Sequence, residues 1–150
     1  MLEDQNLYDA IAGLKHLSNL KKIIDKAEMI NMFKKEGPFT IFAPYNGAFG
    51  SFTTYEPEDL LHEYIKITLE ETIESKESAE KILKHITVPG RITLDDLKSF
   101  DVIAALDGSN ITLTTSNGAI IAGNSFILNY DIECINGIIH ITDEVLKPTP

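Results

Sequence analysis

His140 and Asp143, two of the three ionisable residues at positions 138–146, interrupt an apolar run near the end of the chain. An imidazole and a carboxylate are residue types that act as general bases and bind metal ions. Residues three apart on a strand point to opposite faces, however, so this spacing does not join them in one site. Because a buried polar group needs a hydrogen-bond partner, we interpret His140 as a structural residue bonded to the backbone or to a carboxylate. The alternative is a metal ligand or a general base.

The other residues with reactive side chains do not predict catalysis either. His85 reaches His140 only if the segment around it packs beside the C-terminal strand. Cys134 is the only cysteine, which excludes an intrachain disulfide and a zinc site of paired cysteines, and its apolar neighbours predict a buried small hydrophobe. The sequence has no glycine-rich phosphate loop, nucleophile elbow or HExxH motif. We therefore predict that the protein is not an enzyme and has no metal or cofactor.

The elements that position these residues are helices first and strands later. Apolar residues recur at helical spacing from Leu7 to Phe33, with a cap or break at Ser18-Asn19 and an end at Gly37-Pro38. Further helices are predicted from Pro57 through Leu60, Leu61, Tyr64 and Ile65, and from Ala79 to His85.

Strands are predicted from the β-branched and aromatic runs between turn signals. The first is Phe39–Ala43, and the later ones are Val102–Ala105, Ile111–Thr115, Ala119–Ala122, Phe126–Tyr130 and Ile138–Ile141. Asn117-Gly118 lies between two alternating runs and is the clearest hairpin signal. This order of elements predicts an α+β domain.

Length and charge narrow the possible functions. The 150 residues, 43% of them hydrophobic, predict one domain over residues 1–150. The net charge of −10 argues against nucleic acid as a partner. Between Glu56 and Glu80, nine acidic residues stand against two lysines, which predicts an acidic flank that is more often a solvated helix face than a docking surface. The first residues lack the features of a signal peptide, so we expect a cytoplasmic protein or a trimmed form of a secreted one.

Three segments, in order, resemble the signatures of one known family. Residues 39–49, FTIFAPYNGAF, resemble the TVFAPTNxAF box of fasciclin (FAS1) domains. Residues 84–90, KHITVPG, resemble the central YHVVPG segment, and residues 136–148, NGIIHITDEVLKP, resemble the second box, NGVVHVIDxVLLP. The chain departs from the family pattern at Tyr45, where Thr is usual, and at Lys84, where Tyr is usual.

The resemblance implies a fold in which helices pack on a compact wedge or sandwich of two small β-sheets, with both boxes on adjacent central strands. It also implies a non-catalytic adhesion or interaction module at the cell surface or in a matrix, with protein or glycan partners. Membrane anchoring would then lie in parts beyond this chain. The resemblance implies a structural role for the signature residues Thr40, Phe42, Ala43, Pro44, Asn46, His85, Asn136, Gly137, His140 and Asp143.

Two predictions concern individual residues. Asp131-Ile132 occupies the position of an Asp-Ile pair that some animal members of the family use to bind integrins, although the flanking Tyr130 and Glu133 differ from the animal pattern. We therefore predict a binding role for the pair, with a turn or edge role for Asp131 as the alternative. Asn46 is predicted to cap the short helix that holds Ala48 and Phe49. The alternative function for the whole chain is a carrier of a small apolar ligand in a cleft between helices and sheet.

Overall fold

The computed structural model describes residues 4–49 and 69–146. Within these ranges the α-helices are α1 (Leu7–Gly13), α2 (Ser18–Ala27), α3 (Ile30–Lys35), α4 (Leu69–Thr72), α5 (Lys76–Ile86) and α6 (Leu94–Leu97). Two short 3₁₀ turns, Lys15–Leu17 and Asn46–Ala48, precede α2 and follow the first strand. The helix predicted from Pro57 and the first part of the acidic segment lie outside the described residues. No described helix is long and apolar enough to span a bilayer.

The described strands are β1 (Phe39–Pro44), β2 (Thr87–Pro89), β3 (Val102–Ala104), β4 (Asn110–Ser116), β5 (Ala119–Ala122), β6 (Ser125–Cys134) and β7 (Gly137–Thr142). All six predicted strands are confirmed. The sequence did not predict β2, which is only three residues long, and it predicted only half of β6. The second half of β6 is irregular, because its pairing with β7 shifts register twice between Ile127 and Ile132, and such irregularity weakens the alternating pattern.

The strands follow one another in the hydrogen-bonded order β2-β1-β7-β6-β5-β4-β3. Strand β6 joins the two halves, since its start pairs with β5 and its remainder pairs with β7. The two signature strands, β1 and β7, are adjacent and parallel, with Phe42 opposite His140. The structure is therefore the predicted α+β fold, with the two boxes on central, neighbouring strands.

Helix α1 packs against β7, and α5 packs against β1 and β2, each through the apolar side chains on one of its faces. In α2 the buried residues Leu20, Ile23, Ile24 and Ala27 recur at helical spacing, and Glu28 ends the helix in the left-handed conformation. Helix α5 is capped by Ser75, whose hydroxyl accepts a hydrogen bond from the Ser78 amide. It packs against α2 and leads directly into β2.

Candidate functional site

His140 is completely buried, and backbone groups occupy both of its ring nitrogens. The Asp131 amide donates to Nδ1 at 3.2 Å, so Nε2 carries the proton and donates to the Ile92 carbonyl at 2.8 Å. Burial lowers the pKa of His140 below its ordinary value, although the bond to the Ile92 carbonyl opposes this. The imidazole is therefore held neutral, with no nitrogen left for a metal ion or a substrate. The structural role of His140 stays a prediction, which these two backbone hydrogen bonds favour.

Thr40 also forms hydrogen bonds to the loop that contains Ile92. Its buried hydroxyl donates to the Gly90 carbonyl at 2.7 Å and accepts from the Ile92 amide at 2.9 Å. Thr40 on β1 and His140 on β7 thus hold the segment that follows β2 from two adjacent strands. The next residues of β1, Phe42, Ala43 and Pro44, are buried in the core.

Asn136 forms hydrogen bonds to the free backbone groups at the ends of two helices. Its Oδ1 accepts from the Leu7 amide at the start of α1, and its Nδ2 donates to the carbonyls of Phe33 and Glu36 at the end of α3. The neighbouring Gly137 is required by close packing, because a Cβ atom there would lie 2.1 Å from the Phe39 carbonyl oxygen. We call Thr40, Asn136, Gly137, His140 and the loop Gly90–Ile92 the clasp.

Asn46 is a helix cap, but the helix is not the predicted one. The 3₁₀ turn Asn46–Ala48 has no side-chain cap, whereas Asn46 Oδ1 accepts from the Asn19 amide in the first turn of α2. Its Nδ2 donates to the Lys15 carbonyl and to Ser18 Oγ. The prediction was wrong because Asn46 is the first residue of the 3₁₀ turn, and its side chain points away from that turn toward the start of α2.

Asp143 lies apart from His140, as the strand geometry predicts. Its carboxylate accepts from the Phe126 amide at 2.9 Å, and its own amide donates to the Phe126 carbonyl. Asp143 therefore ties the end of β7 to the start of β6. His140 and Asp143 therefore have separate partners and do not form a site.

His85 does not bond to His140 but forms a cluster with Asp107 and Ser109, which the sequence did not predict. Its Nδ1 lies 2.7 Å from Ser109 Oγ and 3.1 Å from Asp107 Oδ2, and the Ser109 hydroxyl donates to Asp107 Oδ1. A nucleophilic triad needs the serine and the carboxylate on opposite ring nitrogens. Here both contact the same nitrogen, and the hydroxyl proton is already given to the carboxylate, so the cluster is not arranged for acyl transfer.

Asp131 is exposed and adopts a left-handed backbone with φ of 55°. Its carboxylate accepts from the Leu94 amide at 2.9 Å in the first turn of α6, while its amide bonds to His140. Ile132 is half-buried and packs against the core. Asp131 thus lies inside β6, where the strand shifts register against β7, and its carboxylate stays at the surface beside the clasp.

The acidic flank is seen from residue 69 onward. Glu70, Glu71, Glu74 and Glu77 are exposed on α4, α5 and the turn between them.

Among the described residues no three His, Cys, Asp or Glu side chains are grouped so that they could hold a metal ion.

Arg91, for which the sequence predicted no role, binds backbone groups beside the clasp. It donates to the carbonyls of Gly137 and Ile135 and lies 3.7 Å from Glu133 Oε1. Its bonds join the loop of the clasp to the turn between β6 and β7. A lone arginine after Pro-Gly carries no sequence signal for this role.

Comparisons with known proteins agree on one family. The chain matches the model of the fasciclin domain over residues 15–148. Protein sll1483 of Synechocystis sp. is 31% identical over 142 residues, which are 95% of this chain and 73% of that protein. Human periostin is 22% identical over 147 residues, which are 97% of this chain but 16% of periostin.

One solved structure has the same fold. It is a FAS1 domain pair from the insect cell adhesion molecule fasciclin I, with a TM-score of 0.70 and 16% sequence identity. The match covers 97% of this chain and 51% of that chain. The chain therefore spans about half of that structure and about a sixth of periostin.

Proposed function

Because the chain belongs to the fasciclin domain family, we propose that it is a non-catalytic adhesion module at the cell surface or outside the cell. In this proposal it binds a protein partner through Asp131 and Ile132. The solved neighbour from an insect cell adhesion molecule supports the adhesion role. The supporting observation within the chain is that the polar signature residues are already bonded to the domain itself, whereas Asp131 remains exposed.

The position of Asp131 favours recognition by a partner. Its carboxylate is held by the Leu94 amide and its backbone by His140, so the charge is presented in one orientation. A surface residue that is already ordered loses less conformational entropy when it binds. The half-buried Ile132 beside it adds apolar surface to the same spot.

An adhesion assay with a matched pair of variants tests the proposal. Asp131→Asn keeps the oxygen that accepts from Leu94 and tolerates the left-handed backbone, but it removes the charge. Asp95→Asn removes one charge from a side chain that is 92% exposed on α6 and serves as the control. Cells of the source organism should adhere about tenfold less to a surface coated with Asp131→Asn and normally to Asp95→Asn.

Equal adhesion to the two variants would place the contact elsewhere. Replacing Glu70, Glu74 and Glu77 by Lys then asks whether the acidic flank is the docking surface instead. The carrier hypothesis stays a prediction, and native mass spectrometry of the purified protein at only the bare polypeptide mass would contradict it.

A further inference from the structure

The sequence contains three Asn-Gly pairs, at positions 46–47, 117–118 and 136–137. Asparagine is a chemically labile residue, and a following glycine increases its reactivity. Glycine has no Cβ atom, so its backbone nitrogen approaches the preceding side-chain amide without hindrance. In an unfolded chain the three pairs are therefore about equally reactive, and the tertiary structure decides which of them reacts in the folded protein.

Two of the three asparagines are held by hydrogen bonds on both side-chain polar atoms. Asn46 bonds to groups around the start of α2 at 2.9 and 3.2 Å. Asn136 bonds to the ends of α1 and α3 at 2.7 and 2.8 Å. A reaction at either amide has to break these bonds, so it requires that the start of α2 or the clasp unfolds first.

Asn117 lies in different surroundings, at the tip of the hairpin formed by β4 and β5. It is exposed, and its side chain has no hydrogen-bond partner among the described residues. The backbone amide of Gly118 likewise has no acceptor in this part of the structure, and a Cβ atom at Gly118 would meet nothing within 4 Å. Because loop tips open at little cost in free energy, this pair can react while the rest of the domain stays folded.

We propose that Asn117 is a site of spontaneous deamidation in the folded domain. The Gly118 nitrogen gives its proton to a solvent base and bonds to Asn117 Cγ, while the bond from Cγ to Nδ2 breaks and the side-chain nitrogen leaves as ammonia. Water then opens the resulting cyclic imide at one of its two carbonyl carbons. One opening gives aspartate, and the other gives isoaspartate, in which the main chain runs through the side-chain carbon. The net reaction consumes one water and releases one ammonia.

The two products should affect the hairpin differently. Aspartate preserves the turn, since Asp-Gly also accepts two left-handed conformations in succession, and it adds one negative charge to the formal net charge of −10. Isoaspartate instead lengthens the main chain of a two-residue loop, whose length sets the pairing of Ser116 with Ala119. Isoaspartate should therefore loosen β4 from β5. This proposal does not depend on the adhesion role proposed above.

Peptide mapping by mass spectrometry tests this inference on the full chain, incubated at mildly alkaline pH either folded in buffer or unfolded in urea. In urea the three Asn-Gly pairs should convert at similar rates. In the folded protein Asn117 should convert at least about a hundredfold faster than Asn46 or Asn136, because those two react only in the fraction of unfolded molecules, roughly 10⁻³ or less. Conversion at Asn117 should speed up with rising pH, since the Gly118 nitrogen must lose its proton to attack.

Two variants of Asn117 provide matched controls. Asn117→Gly preserves the turn, because Gly-Gly is also favoured in such hairpins, but it lacks the reactive amide. The folded variant should form no acidic species on ion exchange in the time that the wild type does. Asn117→Asp has the mass and charge of the isoaspartate form with a normal main chain. The isoaspartate fraction isolated from aged wild type should melt at a lower temperature than Asn117→Asp does.

Three results of these experiments would overturn the proposed site. The first is an Asn117 that stays intact in the folded protein after the urea-unfolded chain has converted, which would mean that the hairpin protects it. The second is conversion of Asn46 or Asn136 as fast as that of Asn117 in the folded protein. The third is an unchanged yield of acidic species in Asn117→Gly. An isoaspartate fraction as stable as Asn117→Asp would contradict the predicted loosening of the hairpin.

Discussion

Two buried histidines lie in opposite kinds of surroundings in this domain. His140 in the clasp bonds to two backbone groups, from Asp131 and Ile92, that are 9 and 48 residues away in the chain. His85 bonds to two side chains, Asp107 and Ser109, at the turn between β3 and β4. The clasp joins strands, loop and helix ends through the backbone, whereas the His85 cluster ties one helix to one turn. Substitutions in the clasp should therefore disturb the whole fold, and those in the cluster should act locally.

The largest loss of stability is expected when Gly137 is replaced. In Gly137→Ala the new Cβ meets the Phe39 carbonyl oxygen, a backbone atom that moves only if β1 and β7 separate. We expect a loss of at least about 3 kcal/mol in the free energy of unfolding, measured by urea denaturation. Gly13→Ala is the control, since a Cβ there meets nothing within 4 Å. A Gly137→Ala protein as stable as Gly13→Ala would contradict the close packing of the two signature strands.

Asn136→Ala should cause the second-largest loss in the free energy of unfolding. It leaves the Leu7 amide and the carbonyls of Phe33 and Glu36 without their side-chain partner. Loss of three hydrogen bonds at two helix ends should lower the free energy of unfolding by about 2–4 kcal/mol. Hydrogen exchange should show the end of α3 opening together with the start of α1. If only one helix end loses protection, Asn136 does not couple them.

A smaller loss of stability is expected when His140 is replaced, and the contribution of His140 to stability should depend on pH. His140→Ala should cost roughly 1–3 kcal/mol at neutral pH. The folded pKa of His140 lies below the unfolded value, so the unfolded chain takes up this proton first as pH falls below about 6.5. Stability is then lost with falling pH.

The neutral variant His140→Gln isolates this contribution. Between pH 7.5 and 5 the wild type should lose more of its free energy of unfolding than His140→Gln does, as measured by urea denaturation at each pH. Equal slopes for the two proteins would mean that His140 accepts a proton in the folded state as readily as in the unfolded chain.

The smallest effect is expected at Asp107 in the His85 cluster. Burial alone would raise the pKa of Asp107, but hydrogen bonds from Ser109 and His85 outweigh it and lower the pKa below its usual range. Asp107→Asn should cost about 1 kcal/mol at pH 7. This difference should shrink as pH falls through the folded pKa of the carboxyl, because the wild type then loses its charge too. If Asp107→Asn lowered the free energy of unfolding as much as Asn136→Ala does, the cluster would stabilise the fold as strongly as the clasp.

Prediction from the sequence succeeded where the signal is local. Asn117-Gly118 predicted the hairpin of β4 and β5, because few residue pairs accept two left-handed conformations in succession, and both residues have positive φ. The long apolar runs predicted β1 and β7. Prediction failed where a contact joins residues that are distant in the chain. Asn46 caps α2, which begins 28 residues earlier. The short strand β2 exists because it pairs with β1, and nothing in Thr87–Pro89 itself requires a strand.

The sequence by itself determined the α+β class, the family resemblance and the burial of an apolar strand that contains a histidine. These features follow from periodicity, turn chemistry and the ordered signature segments, which act over a few residues. The tertiary structure alone decided that both nitrogens of His140 are engaged and that His85 turns toward Asp107 and Ser109. Hydrogen-bond partners and shared faces depend on strand register and on the distances between segments far apart in the chain. Spacing along one segment cannot supply either.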